Sequence, residues 1–195
     1  MKWISRSDLD WPASAAPEQL SALGSKIHYE GTPVSNATHE DCVKEVKAIR
    51  VSHLANKKEN YSDIAYNLLV CQHGYVFEGR GKHKRTGANG DQPLNKAHYA
   101  ICGLLGTSGD VNPSAEMIAG IKDAVAYMRS NGAGKEIKGH RDGHATACPG
   151  EPLYALVKSG GFEPDKVVAK PTPVYAPFPG TTWFRSRRAN KCEPQ

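Results

Sequence analysis

The sequence predicts an α/β domain: a central mixed β-sheet with helices packed on both of its faces. Three observations predict it. Apolar residues recur at helical spacing in two separated segments. A short run around Leu68-Leu69-Val70-Cys71 is apolar on both sides of a pleat, as in a strand covered from above and below. The elements alternate as strand, helix, hairpin, strand, helix, strand, loop, helix, the order of a layered sheet-and-helix fold.

Ser25 to Tyr29 reads as the first strand and enters a turn at Gly31-Thr32-Pro33. Thr38, with Asp41 three residues on, has the form of a capping box. The stripe Val43, Val46, Ile49 and Leu54 then defines a helix that fades near Asn60. Tyr66 to Cys71 is the central strand, Gln72-His73-Gly74 a turn, and Tyr75 to Glu78 the returning strand of a hairpin. Residues 79–92 are rich in Gly, Lys and Arg and read as a loop. Tyr99 to Leu105 is a further strand. Pro113, Ser114 and Glu116 open a second helix, whose buried stripe is Met117, Ile118, Ile121, Val125 and Met128; Asn131-Gly132 ends it. Glu136-Ile137-Lys138 is a brief strand that runs into a loop, and a last helix spans about Pro152 to Lys158.

Residues 1–165 are expected to form one folded domain. Residues 166–195 are expected to be a linker stiffened by Pro171, Pro173, Pro177 and Pro179, followed by a short basic tail with Trp183 and Phe184. A chain of 195 residues with 39% hydrophobic and 23% charged residues can bury a core of its own. No stretch approaches the roughly 20 apolar residues of a membrane span. No apolar stretch follows Lys2, so no secretory signal is expected and synthesis in a cytoplasm is. The net charge of +5 favours encounters with anionic surfaces without identifying one. Five cysteines, an odd number, argue against a disulfide framework. Cys71 and Cys102 lie in apolar runs and read as buried thiols.

The segment Gly139-His140-Arg141-Asp142-Gly143-His144-Ala145-Thr146-Ala147-Cys148-Pro149-Gly150 concentrates metal-binding and polar side chains in a loop held by glycines and a proline. His140 and Cys148 can reach one ion if the loop curves back. A mixed nitrogen and thiolate set suits zinc. His28, at the end of the first strand and just before a turn, is the best third ligand. Three protein ligands would leave a fourth position for water, which is the catalytic pattern. His144 is a rival ligand, although Gly139 and Gly143 disfavour the helix that would place it beside His140. Glu30 reads either as a partner orienting His28 or as a solvated loop residue. Lys82-His83-Lys84-Arg85 reads as a solvated loop or the edge of a groove, and Asn95 and His98 are candidate substrate contacts.

Five pieces together resemble the type-2 N-acetylmuramoyl-L-alanine amidases, a family that includes phage endolysins and peptidoglycan recognition proteins. They are Ile4-Ser5-Arg6, Ile27-His28-Tyr29, Asp63-Ile64-Ala65-Tyr66-Asn67, Gly74 to Gly81, and Gly139 to Gly150. The resemblance spans residues 4 to about 160 and implies a Zn²⁺ cofactor held by His28, His140 and Cys148. It also implies catalytic roles for Tyr66 and Thr146 in stabilising the oxyanion formed when the amide between N-acetylmuramic acid and L-alanine is hydrolysed. Thr146 occupies a position where relatives carry Lys or Thr. Many relatives continue the first histidine as His-Thr-Ala, whereas this chain has Tyr29-Glu30-Gly31. Non-cutting recognition proteins typically lack the zinc cysteine, and Cys148 is present here. The expected partner is peptidoglycan or a muropeptide, with no nucleic acid; the expected state is a monomer that reaches the wall after release, as a phage lysin does. The alternative reading is a peptidoglycan-binding sensor or inhibitor that does not cut.

Overall fold

In a computed structural model, which describes residues 1–165 and the backbone of Thr172–Pro173, the described residues form one seven-stranded sheet with four helices. The strands are β1 (Lys2–Ile4), β2 (Ala22–Tyr29), β3 (Leu68–Val70), β4 (Tyr75–Glu78), β5 (His98–Gly103), β6 (Ala133–Gly139) and β7 (Thr172–Pro173). The helices are α1 (His39–Ala55), α2 (Gln92–Ala97), α3 (Ala115–Arg129) and α4 (Glu151–Ser159). Spatial order is β6-β2-β5-β3-β4-β1-β7. The β3–β4 hairpin is antiparallel and the other pairings are parallel, so the sheet is mixed, as expected. No helix among the described residues is long and apolar enough to cross a membrane. Beyond β7, the linker and tail expected after Asp165 lie outside the described residues.

The period of two along each strand divides the core into two layers. Ile27, Leu68, Val70, Tyr99 and Ile101 face α3 and α4, where Met117, Ile121, Val125, Met128, Leu153 and Phe162 close over them. Leu69, Cys71, Phe77 and Cys102 face the other way, against Cys42, Val43, Val46 and Ile49 of α1. His28 follows Ile27 and pairs in register with Cys102, so it lies on the α1 side.

The capping signals act as read. Thr38 Oγ1 accepts from Asp41 N at 3.2 Å while Asp41 Oδ2 accepts from Thr38 N at 3.1 Å, a reciprocal cap worth about 1 kcal/mol. Ser114 caps α3 by accepting from Met117 N at 3.0 Å. Three differences from the expected elements have local causes. The central strand begins at Leu68 because Asn67 replaces a ladder contact with its side chain, Oδ1 accepting from Ala100 N at 2.9 Å. Helix α2 forms between the expected loop and strand because Asp91 caps it, accepting from Leu94 N at 2.8 Å, with Pro93 in the first turn. Strand β1 is three residues long and carries no readable alternation; its parallel pairing with β4 makes it a strand.

Candidate functional site

Parallel pairing of β2 with β6 brings the two distant histidines together. Ile27 pairs with Gly139, and His140 N donates to Ile27 O at 3.1 Å. The next residue of β2 and the first residue beyond β6 are therefore neighbours. The His28 and His140 ring centroids lie 4.5 Å apart. The loop after His140 then folds back, with Arg141 N donating to Cys148 O at 3.1 Å. Asp142 braces it: Oδ2 accepts from Gly139 N at 2.8 Å and Oδ1 from the Tyr154 hydroxyl at 2.7 Å. Arg141 adds Nη1 to Glu151 at 2.6 Å, a bond to the carbonyl of Ala147, and a cation–π contact with Tyr154 at 4.5 Å. These bonds present the Cys148 thiol to His28.

The donor atoms of His28, His140 and Cys148 all lie within 4.8 Å of one another. Cys148 Sγ is 3.6 Å from His28 Nδ1. Zn–S of about 2.3 Å and Zn–N of about 2.0 Å at a tetrahedral angle give an S···N edge of about 3.5 Å. The histidines are presented as ligands usually are, with one nitrogen tied and the other free. His28 Nε2 meets Asn89 Oδ1 at 2.9 Å, which leaves the Nδ1 lone pair facing Cys148. His140 rests against the backbone of Asn89 and holds a buried Nε2 with no partner. Burial, reinforced by the neighbouring His140, drives the His28 pKa well below its ordinary value. Burial, then His144, takes His140 down to about 4. Both imidazoles are thus neutral, as ligands must be. Burial pushes the Cys148 thiol up to about 11 against the opposing pull of Tyr29 N–H, so binding an ion there releases a proton. The site fits zinc on its donor set, its edge length and its unpartnered nitrogen.

Tyr66 flanks His28, ring centroids 5.5 Å apart. Its hydroxyl is held protonated by burial and by the adjacent Cys102 and Cys148 thiols. It lines a cleft of about 240 Å³ with Glu30, Thr32, Glu45 and His53. Thr146 Oγ1 accepts from Cys148 N at 3.2 Å and so keeps its own proton to donate.

Four other candidate residues have other roles. His144 stacks on His140 with centroids 5.0 Å apart and planes 7° from parallel, outside the donor trio. Glu30 does not orient His28: its Oε1 accepts from Thr32 at 2.8 Å, and burial with the Glu45 carboxyl beside it raises it to about 7. Asn95 and His98 are framework. Asn95 Oδ1 accepts from Asn89 N at 2.9 Å and His98 Nε2 bonds Glu136 at 2.7 Å; the two residues are 5% and 3% exposed. Sequence reading missed Asn89 altogether. Besides its His28 contact, its fully buried side chain donates to Leu94 O at 3.2 Å and His98 O at 2.8 Å. Asn89-Gly90 reads locally as an ordinary turn, and no local signal marks it as the support of both imidazoles.

No family model matches the chain. Mouse peptidoglycan recognition protein 1 is 28% identical over 156 residues, 74% of this chain and 82% of that protein. Drosophila melanogaster peptidoglycan-recognition protein SD is 32% identical over 104 residues, 52% of this chain and 54% of its own length. Pig N-acetylmuramoyl-L-alanine amidase is 25% identical over 138 residues, 68% of this chain and only 22% of that protein. Among solved structures, wild-type Drosophila PGRP-LB superposes with a TM-score of 0.70 at 22% identity, covering 83% of this chain and 95% of that one. With the fold and these sequence likenesses together, the chain is a homologue of the peptidoglycan recognition proteins and N-acetylmuramoyl-L-alanine amidases.

Proposed function

We propose that this chain is a zinc-dependent amidase that hydrolyses the bond between N-acetylmuramic acid and L-alanine in peptidoglycan. The observation that carries the reading is the His28–His140–Cys148 trio, whose donors lie within 4.8 Å of one another, with Tyr66 of the neighbouring cleft 5.5 Å from the His28 ring. The ligands named for two structural neighbours support the substrate class: a Drosophila PGRP-LB variant is in complex with tracheal cytotoxin, and human PGRP-IβC with glycosamyl muramyl pentapeptide.

Zn²⁺ bound by the trio would polarise the scissile carbonyl and lower the pKa of a water from about 15.7 towards about 7. The chain's own residues supply the rest. Asn89 holds the His28 tautomer, and because the donors are two neutral imidazoles and only one thiolate, a bound Zn²⁺ would keep part of its positive charge to draw the carbonyl oxygen. The Tyr66 and Thr146 hydroxyls donate to that oxygen as it becomes negative, the electrostatic stabilisation worth most in a partly dry cleft. Hydrolysis consumes one water: the C–N bond breaks, the lactyl carbon keeps the hydroxyl, and the alanine nitrogen takes the proton. In this reading residues 1–165 are the working domain, a monomer that acts on the wall after release from the cytoplasm.

The test is digestion of purified sacculi with zinc supplied, followed by mass spectrometry of the products. New N-terminal alanine with no new reducing sugar, abolished in Cys148→Ser, is the expected result. Muropeptide binding without any product would instead establish a sensor that recognises the wall and leaves it intact, the role that the names of most relatives suggest.

A further inference from the structure

A second donor cluster lies away from the trio, where the N-terminus of α1 meets the β3–β4 turn. Cys42 sits in the first turn of α1, Cys71 directly follows β3, and His73 stands in the turn. Their donor atoms also lie within 4.8 Å of one another. His73 Nδ1 is 3.3 Å from Cys42 Sγ and 4.0 Å from Cys71 Sγ. These distances straddle the S···N edge of about 3.5 Å that tetrahedral zinc requires. His73 Nε2 faces the carbonyl of Ala37 at 3.2 Å. A carbonyl can only accept, so that nitrogen carries the proton and the Nδ1 lone pair is turned onto the two sulfurs. This is the arrangement by which a backbone carbonyl prepares a histidine for a metal. Both thiols are fully buried. Beside Cys71 stands His39, whose Nδ1 is buried and has no hydrogen-bond partner.

We propose that Cys42, Cys71 and His73 bind a second zinc ion that braces the fold. Two thiolates neutralise the ion's charge, and the His73 imidazole completes a mixed sulfur and nitrogen set that suits zinc. Cys42 comes from the first turn of α1, and Cys71-x-His73 brackets the hairpin turn. Binding replaces both thiol protons, including the one Cys42 Sγ donates to Thr38 O at 3.3 Å. The helix N-terminus favours the resulting negative sulfur. The ion would staple α1 to the hairpin, two elements otherwise joined by apolar packing.

The experiment is metal stoichiometry by mass spectrometry on full-length, tag-free protein grown with zinc, with melting curves for each variant. Cys148→Ser disables the trio, and His73→Gln removes a half-buried ligand that packs in no core cluster, so the fold is retained. Two ions in the wild type, one in each single variant and none in the double variant is the expected pattern. If the amidase site proves empty instead, the wild type carries one ion that Cys148→Ser keeps and His73→Gln loses, which supports this site and counts against the other. A single wild-type ion lost in Cys148→Ser overturns the proposal. So does an ion that persists in the double variant, or a Cys42–Cys71 disulfide found by alkylation and peptide mapping of protein purified under reducing conditions.

Discussion

Asn89→Ala tests whether one buried amide sets the affinity of the site for its ion. The wild-type side chain is fully enclosed and makes three hydrogen bonds, to His28 Nε2, Leu94 O and His98 O. At about 1 kcal/mol net for each bond, the substitution should destabilise the fold by about 3 kcal/mol. For a domain of this size that lowers Tm by about 6–12 °C. The His28 contact also decides tautomer. Without it Nε2 loses its acceptor and the ring is free to turn Nδ1 away from Cys148. Loss of such an outer partner weakens metal binding by about 10–100-fold, or about 1.4–2.8 kcal/mol. Competition with a chromophoric chelator at fixed pH measures the affinity, and circular dichroism at the same temperature confirms that the variant is folded. A folded Asn89→Ala protein that binds zinc as tightly as the wild type would refute the argument that Asn89 orients His28.

Three further outcomes follow from particular contacts. Gly24→Ala should weaken both fold and site, because its new Cβ would stand 2.0 Å from the carbonyl oxygen of Glu136. Prying β6 from β2 costs at least about 1–3 kcal/mol and moves His140 away from His28, which denaturant melts and zinc titration would both register. Asp63→Asn should cost about 3–5 kcal/mol in urea unfolding: the 1%-exposed carboxylate meets Arg50 Nε at 2.8 Å and Arg6 Nη2 at 2.9 Å, and its loss leaves buried guanidinium charge uncompensated. His53 gives a pH signature. Burial, then Arg80, lowers its pKa from 6.5 to about 4. The folded state therefore binds fewer protons than the unfolded one between these values, and its stability is full above about pH 6.5 and falls towards pH 4. The shift is worth about 3 kcal/mol at most, and about 1–2 kcal/mol once solvent reaches the partly exposed ring. Urea melts with chelator present should show a flatter slope over that range in His53→Gln, and an unchanged slope would remove His53 from the pH response.

The chain's local chemistry was legible wherever a few consecutive residues decide the outcome. The Thr38–Asp41 box, the start of α3 at Ser114, the continuous apolar run at Leu68–Cys71 and the turn at His73-Gly74 depend on neighbours within four positions, and each element appears within two residues of where the sequence places it. The donors His28, His140 and Cys148 were legible as residue types in a known pattern. Their meeting was decided by the register of β2 against β6, which the chain alone does not print. Asn89, the Cys42–Cys71–His73 cluster and the turning of Glu30 onto Thr32 belong to the tertiary structure alone. Each joins groups whose separation in sequence is unrelated to their separation in space, or depends on which way one side chain turns. Burial acts in the same way on charge: the neutral imidazoles and the raised Cys148 thiol follow from the layers packed around them, and no residue carries that information in its own identity.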